Sequence, residues 1–272
     1  MTSGRTLNER IGYLGRAAVV VASHPREGLD RIRGRTESLV CDYVPFVTGQ
    51  KPLATTAEPL KRLHEFLDVE WPCLLERDFN ETWTKLERRM ASSGLPVGEG
   101  HDADVNLAHV VWCAIRHLNP ARVLETGVAR GVTSALVLDA MSNSNGGVGH
   151  LWSIDLPPVM PIWHEQSKVL VDETLWRDWT YVRGSSRRQM PRVCETMKTV
   201  DIFIHDSLHT PMTMKYEFTQ AWTSMRVGGL LISDDVEGNS SFLDFIGSHG
   251  VQKWFVAPHT AKEGLFGVAL KA

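Results

Sequence analysis

The sequence predicts an α/β fold: a mostly parallel, seven-stranded sheet with a C-terminal antiparallel hairpin, preceded by a mainly helical N-terminal extension. Two observations support this fold class. From residue 104 onward, short apolar segments alternate with longer segments of helical periodicity, which is typical of a parallel sheet covered by helices. Residues 92–98 are rich in turn-forming residues, so we place the domain boundary there, with an extension over 1–98 and a domain over 99–272.

The N-terminal extension contains two predicted helices. The first covers residues 58–68, and Pro59 is well suited to its first turn. The second covers residues 80–90, with Asn80 as its N-cap. Residues 1–57 carry weaker signals, so we interpret them as an arm or a lid.

The second domain is predicted to alternate strands and helices throughout. The predicted strands cover residues 122–125, 151–155, 180–183, 201–205, 229–233, 252–257 and 266–270. The predicted helices cover residues 104–118, 131–141, 165–175 and 211–225. Asp104 is the expected N-cap of the first of these helices. The last two strands flank a turn that contains glycine, so we expect them to pair as a hairpin.

Composition favours a small-molecule partner. The formal net charge is −3, and no basic run is present, so the sequence gives no indication of nucleic-acid binding. The longest early apolar run, residues 17–22, is far shorter than a membrane span requires. We therefore expect a cytoplasmic protein that binds neither nucleic acid nor membrane, and that forms a homo-oligomer such as a dimer.

The four cysteines are Cys41, Cys73, Cys113 and Cys194, and no two of them form a CxxC pair. Their spacing predicts neither a zinc cluster nor a disulfide framework. We therefore expect reduced cysteines with a structural role.

The segment Glu125-Thr-Gly-Val-Ala-Arg-Gly131 joins the first predicted strand of the domain to its helix. Gly127 allows a sharp turn close to a ligand, and Gly131 allows close approach at the helix start. The spacing is ExGxxxG rather than the GxGxxG of dinucleotide sites. It therefore suits a cofactor that carries an ammonium group and no phosphate. Asp155, at the end of the next strand, can accept hydrogen bonds from ribose hydroxyls, although Gly127 alone fits an ordinary strand–helix turn.

These residues resemble the class I S-adenosylmethionine-dependent methyltransferases over about residues 104–272, which implies a Rossmann-like sheet. The resemblance implies that the glycine loop holds the methionine end of the cofactor, that Asp155 holds the ribose, and that Ser185 and Ser186 lie near the adenine. The cofactor-binding residues so implied are Glu125, Thr126, Gly127, Gly131, Thr133, Ser134, Asp155, Ser185, Ser186 and Asp206.

A second group of polar residues follows the fourth and fifth strands of the domain. Asp206 and His209 come after one strand, and Asp234-Asp235 after the next. Carboxylates brought together at one edge of a sheet repel each other, and Mg²⁺ would relieve the repulsion. His209 would then serve as a general base. The alternative is that Asp234 caps the following helix and Asp235 is a solvated loop residue.

This second group resembles the magnesium-dependent O-methyltransferases of macrolide sugars, of the mycinamicin type, and their cephalosporin-biosynthesis relatives. The resemblance implies Mg²⁺ on Asp206, Asp234 and Asp235, and catalysis by His209 and Asp206. It also implies methylation of a hydroxyl of a sugar, a glycoside or a related polyhydroxylated natural product. Two other hypotheses remain: a metal-independent methyltransferase with another small-molecule acceptor, and a non-catalytic S-adenosylmethionine-binding partner of a biosynthetic cluster.

Aromatic residues gather around the loop after Asp155. Trp152, Trp163, Trp176 and Trp179 lie near it in sequence, and aromatic faces stack on sugar rings. They could line an acceptor pocket, or they could equally be core or interface residues. His164 falls in the same region as a possible substrate contact.

Overall fold

The computed structural model describes residue 19 and residues 21–43, 53–93, 103–144, 149–156 and 169–272. Its centre is a seven-stranded sheet of order β3-β2-β1-β4-β5-β7-β6. The strands are β1 (Arg122–Thr126), β2 (His150–Asp155), β3 (Trp179–Arg183), β4 (Val200–His205), β5 (Met225–Ser233), β6 (Lys253–Pro258) and β7 (Leu265–Leu270). Strands β1 to β5 are parallel, whereas β7 is antiparallel to both β5 and β6. The predicted fold class is confirmed.

Eight α-helices are found in the described residues. They are α1 (Pro25–Tyr43), α2 (Pro59–Leu67), α3 (Glu76–Ser92), α4 (Val105–Leu118), α5 (Val132–Ser142), α6 (Ser186–Met197), α7 (Pro211–Ser224) and α8 (Ser241–Ser248). None of the helices within the described ranges is long and apolar enough to span a bilayer.

The strands carry apolar side chains on both faces, so both faces of the sheet are covered. Val123 belongs to the core formed with α2 to α5, and its neighbour Leu124 belongs to the core formed with α6 to α8. This follows from the alternation of side chains along a strand. Near-continuous apolar strands are expected where a parallel sheet is buried on both sides.

Helices α2 and α3 pack into the same hydrophobic core as α4 and α5 and do not form a separate one. Leu63 of α2, Phe79 of α3 and Trp112 of α4 are all buried in the same cluster. Asp104 caps α4 as predicted, since its carboxylate accepts a hydrogen bond from the backbone N–H of Asn106 at 2.8 Å. The predicted boundary at residues 98–99 lies outside the described residues.

The start of α3 was predicted wrongly. The helix begins at Glu76, so Asn80 is inside it and caps nothing. The reason is packing: Phe79 is 2% exposed and stacks on His109, which extends the buried face of the helix one turn toward the N-terminus.

The predicted helix over residues 165–175 is also wrong where the structure describes it. Residues 169–172 form turns, and Glu173–Asp178 forms a short 3₁₀ helix that begins with Asp172 as its side-chain cap. Strand β5 is longer than predicted, because it begins at Met225 rather than at Gly229, so Gly228 lies within it. Gly228 has φ +76° there, next to an irregularity in the pairing of β4 with β5.

Candidate active site

A cavity of about 650 Å³ opens at the carboxyl edge of the sheet, the edge where the parallel strands end. Strand order reverses between β1 and β4, and ligands of open α/β sheets bind outside this point. The cavity is lined by Gly127 after β1, Asp155 at the end of β2, Ser185 and Ser186 after β3, and Asp206 after β4. These five predicted cofactor residues are therefore brought together.

Gly127 is required by the close approach of two loops. Its φ is +86°, and a Cβ placed on it would lie 1.9 Å from the carbonyl oxygen of Asp206. The backbone N–H of Asp206 donates to the carbonyl of Thr126 at 2.8 Å. Gly131 also has positive φ, +84°, directly before α5. Both glycines thus have conformations that other residues adopt only under strain.

Glu125 is fully buried at the base of this loop. Its Oε2 accepts hydrogen bonds from Ser134 at 2.6 Å and from Ser153 at 2.5 Å. Its Oε1 is buried and has no hydrogen-bond partner among the described residues. Burial raises the pKa of Glu125 to about 7. A buried carboxylate oxygen without a partner is costly, and a cofactor ammonium group would supply the missing donor.

Asp155 is placed as a ribose ligand would be. It lines the cavity, its Oδ2 accepts from the Tyr181 hydroxyl at 3.1 Å, and its Oδ1 is 3.4 Å from the backbone N–H of Val128. Burial raises its pKa. Ser185 precedes α6, and its buried hydroxyl has no hydrogen-bond partner in the described part of the chain.

Five predicted cofactor residues do not line the cavity: Glu125, Thr126, Gly131, Thr133 and Ser134. Thr126 is buried and donates to Glu217 at 2.6 Å, while Ser134 donates to Glu125. Thr133 is half-buried in the first turn of α5. Glu217 also accepts from Ser207 at 2.7 Å, so this buried carboxylate holds the loops after β1 and β4 together.

Helix α1 forms one wall of the cavity, which the weak signals of residues 1–57 did not reveal. Glu27 is paired with Arg183 at 2.9 Å and Asp30 with Arg188 at 2.8 Å. Glu37 accepts a hydrogen bond from Thr213 at 2.8 Å. The hydrogen bonds from Arg183 and Arg31 outweigh burial and lower the pKa of Glu27 to about 2. Charged contacts therefore attach α1 to the loops around the cavity.

The acidic cluster, Asp206, Asp234 and Asp235, lies beyond the glycine loop at the same edge. Asp234 is 3% exposed. Its Oδ2 accepts a hydrogen bond from Lys262 at 2.7 Å, and its Oδ1 lies 2.7 Å from His259 Nε2. It caps no helix; its Oδ1 accepts from the backbone N–H of Asp235, which precedes a 3₁₀ turn with φ +48°.

His209 lies between two carboxylates of the cluster. Its Nδ1 is 3.1 Å from Asp235 Oδ2, and its Nε2 is 3.7 Å from Asp206 Oδ1. Burial, reinforced by the neighbouring His205, lowers the pKa of His209 to about 4. Burial and repulsion from Asp234 raise the pKa of Asp206. The hydrogen bonds from His259 and Lys262 outweigh burial and lower the pKa of Asp234, so the two carboxyl groups are affected in opposite directions.

Sequence reasoning missed Lys262 and His259. Both come from the loop between β6 and β7, and donor atoms of Asp234, Asp235 and His259 lie within 4.8 Å of one another. Asp104 holds this loop by accepting hydrogen bonds from the backbone N–H groups of Thr260 and Ala261. The only sequence signal was a lysine and a histidine after a strand end, which is weak without the fold.

Three tryptophans of the predicted acceptor pocket lie within the described residues. Trp152 is part of β2 and packs against the core. Trp179 is buried and donates to Ser153 at 2.9 Å, so it belongs to the core. Trp176 is 41% exposed. Trp163 and His164 lie outside the described residues.

A family model and several solved structures match this chain. A family model described as a methyltransferase domain matches residues 124–236, a range that contains the glycine loop and the acidic cluster. This match covers less than half of the chain. A search of curated proteins found no match.

Solved structures share the fold of this domain. The O-methyltransferase TomG from Streptomyces achromogenes, involved in tomaymycin synthesis and solved with S-adenosylmethionine, is 17% identical with a TM-score of 0.54; the alignment covers 71% of this chain and 90% of that one. An O-methyltransferase from Bacillus cereus in complex with SAH is 14% identical with a TM-score of 0.56, over 76% of this chain and 96% of that one. At these identities, the likeness shows the fold alone.

Proposed function

We propose that this chain is an S-adenosylmethionine- and Mg²⁺-dependent O-methyltransferase. The proposal rests on one observation: the cavity lined by Gly127 and the acidic cluster with His209 lie next to each other at the carboxyl edge of the sheet. The Glu125 carboxylate fits an ammonium group, and Asp155 fits a ribose. The methyltransferase match over residues 124–236 supports the same conclusion.

The acidic cluster fits a divalent cation in its donor chemistry. Its three carboxylates offer hard oxygen ligands, which Mg²⁺ prefers. When all three carboxylates are ionised, Lys262 contributes one positive charge against their three negative charges. A formal charge of −2 then remains for a divalent ion to balance. A bound Mg²⁺ would act as a Lewis acid on a substrate hydroxyl.

The chain's own residues would position and deprotonate that hydroxyl. The Nδ1 atom of His209 faces the Asp235 carboxylate, which fixes the ring orientation. Its Nε2 atom has no hydrogen-bond partner in the described residues and is directed toward Asp206, on the side of the cavity. We assign His209 as the base that accepts the hydroxyl proton.

Lys262 favours a second candidate, a metal-independent methyltransferase. Its ammonium lies 2.7 Å from Asp234 and 3.5 Å from Asp235, so it already neutralises part of the cluster. In this case Lys262 would be the cation that stabilises the developing alkoxide.

A chelation experiment separates the two candidates. Methyl transfer from labelled S-adenosylmethionine is measured on a panel of hydroxylated acceptors after chelation, with and without added Mg²⁺. The first candidate predicts loss on chelation, recovery with Mg²⁺, and loss in Asp235→Asn with cofactor affinity retained. The second predicts activity that survives chelation and is lost in Lys262→Met. Asp244→Asn and Lys215→Met, both at exposed positions, are the matched controls.

The acceptor we propose is a sugar, a glycoside or a related polyhydroxylated natural product, because a Mg²⁺ ion held by the acidic cluster would bind a substrate hydroxyl. The proposed form is a homo-oligomer. Calorimetry with S-adenosylmethionine, together with the methyl-transfer assay, tests the third hypothesis. A chain that binds the cofactor but transfers no methyl group to any acceptor would favour it, and a folded chain that binds no cofactor would contradict all three hypotheses.

A further inference from the structure

A second group of ligand atoms lies in the helical layer formed by α2, α3 and α4. The group, here called the Cys–His cluster, consists of His64 in α2, Cys73 between α2 and α3, and Cys113 and His117 in α4. Their donor atoms all lie within 4.8 Å of one another. Cys113 and His117 are one helical turn apart, so they share a face of α4.

Three of the six donor-atom distances within the Cys–His cluster match the edges of a tetrahedron around a zinc ion, and the other three are at most 4.8 Å. Zn–S bonds of about 2.3 Å and Zn–N bonds of about 2.0 Å give edges of roughly 3.8 Å between two sulfurs and roughly 3.5 Å between sulfur and nitrogen. The Cys73 and Cys113 sulfurs are 3.8 Å apart. Cys73 Sγ is 3.6 Å from His117 Nε2, and Cys113 Sγ is 3.3 Å from His64 Nε2.

A hydrogen bond outside the Cys–His cluster orients the His64 ring for metal binding. His64 Nδ1 lies 2.5 Å from the backbone carbonyl of Glu70, so Nδ1 carries the proton and Nε2 presents its lone pair to the cluster. This is the outer hydrogen bond that zinc-ligating histidines make. His64, Cys73 and Cys113 are buried, which leaves a closed site with four protein ligands.

We propose that His64, Cys73, Cys113 and His117 bind one structural Zn²⁺. Two thiolates balance the charge of the ion, so the buried complex is neutral. Soft sulfur donors favour zinc over the Mg²⁺ that suits the acidic cluster. The ion would join α2, the segment after it and α4 into one unit behind the sheet.

A disulfide is the main competing state. Its S–S bond of about 2.05 Å is much shorter than the 3.8 Å between Cys73 and Cys113. It would also leave His64 Nε2 and His117 Nε2 without a role.

Metal analysis of the full chain, purified without chelator or added metal, tests the proposal. We expect about one zinc per chain, lost in Cys73→Ser and in Cys113→Ser. Cys194→Ser, which changes another buried cysteine, is the matched control and should keep the zinc. The Asp234→Asn, Asp235→Asn double variant should keep it as well, because the acidic cluster is a separate site.

Cobalt substitution makes the test independent of how well the serine variants fold. Co²⁺ bound to the wild-type chain should give tetrahedral d–d bands together with sulfur-to-cobalt charge-transfer absorption. Carboxylate and imidazole ligands alone cannot give the charge-transfer absorption. His117→Ala, at a half-buried position, should weaken these bands. Zinc removal should lower the Tm by about 5 °C or more. A reduced wild-type chain without zinc or thiolate–cobalt bands, a Cys73–Cys113 disulfide, or unchanged zinc in both serine variants would each overturn the proposal.

Discussion

The acidic cluster at the carboxyl edge and the Cys–His cluster in the helical layer both consist of residue types that bind metal ions in proteins, yet they are built differently. The acidic cluster is paired with the ammonium group of Lys262, and it adjoins a cavity. The Cys–His cluster offers two sulfur and two imidazole nitrogen donors, the number that a tetrahedral zinc ion takes, and none of the four residues lines that cavity. A site with open ligand positions suits chemistry, whereas a closed site suits structure. Substitutions in the acidic cluster should therefore change the rate of methyl transfer, and substitutions in the Cys–His cluster should change the stability of the fold.

The largest effect is expected from His209→Gln. Loss of the base should lower methyl transfer about 10²- to 10⁴-fold, while the Tm, zinc content and cofactor affinity stay close to wild type. His249→Gln, at an exposed histidine, is the control in the activity and melting assays. If His209→Gln melts far below wild type, or transfers methyl groups at the normal rate, it would contradict the prediction that the carboxyl edge determines activity and the helical layer determines stability.

A smaller but still large effect is expected from Gly127→Ala. The positive φ and the 1.9 Å approach to the Asp206 carbonyl force the loop to move, so we expect about 3–5 kcal/mol of destabilisation and weaker cofactor binding. Gly247→Ala is the comparison: a Cβ there meets nothing within 4 Å, and helix α8 should gain about 0.5–1 kcal/mol. Denaturant unfolding and cofactor titration measure both. Equal stabilities for the two variants would show that the loop is not constrained.

The smallest effect concerns Glu125→Gln and depends on pH. The folded pKa of about 7 is above the ordinary 4.5, so the carboxyl favours the folded state fully below pH 4.5 and loses this contribution as the pH rises through 7. Cofactor-free wild type should thus lose up to about 3 kcal/mol relative to Glu125→Gln between about pH 4.5 and 8.

Cofactor affinity should change in the opposite direction. An ammonium group pairs with the ionised carboxylate, so wild-type affinity should rise up to about tenfold per pH unit below pH 7, and Glu125→Gln should abolish that rise. Calorimetric titrations of both proteins across this range would measure the slope. The same slope in both proteins would remove Glu125 from the cofactor site.

Local patterns were enough to predict the sheet and the position of the acidic cluster. Each strand is a buried apolar segment, and Asp206 and Asp234 follow their strands directly, so the topology brings them together. The Cys–His cluster was outside the reach of such patterns, because 40 residues separate Cys73 from Cys113 and only the packing of α2 on α4 joins them. Lys262 was missed for the same reason. Helix α1 is held by long-range ion pairs such as Glu27–Arg183, which leave no periodic signal.

The contact between Gly127 and the Asp206 backbone has a consequence for how this kind of enzyme can diversify. The loop that we assign to the methyl donor and the loop that carries the acidic cluster are joined through main-chain atoms. The spacing between donor and base therefore does not depend on which side chains line the acceptor pocket. A lineage can exchange those side chains, and with them its acceptor, while it inherits the alignment of the reacting groups unchanged.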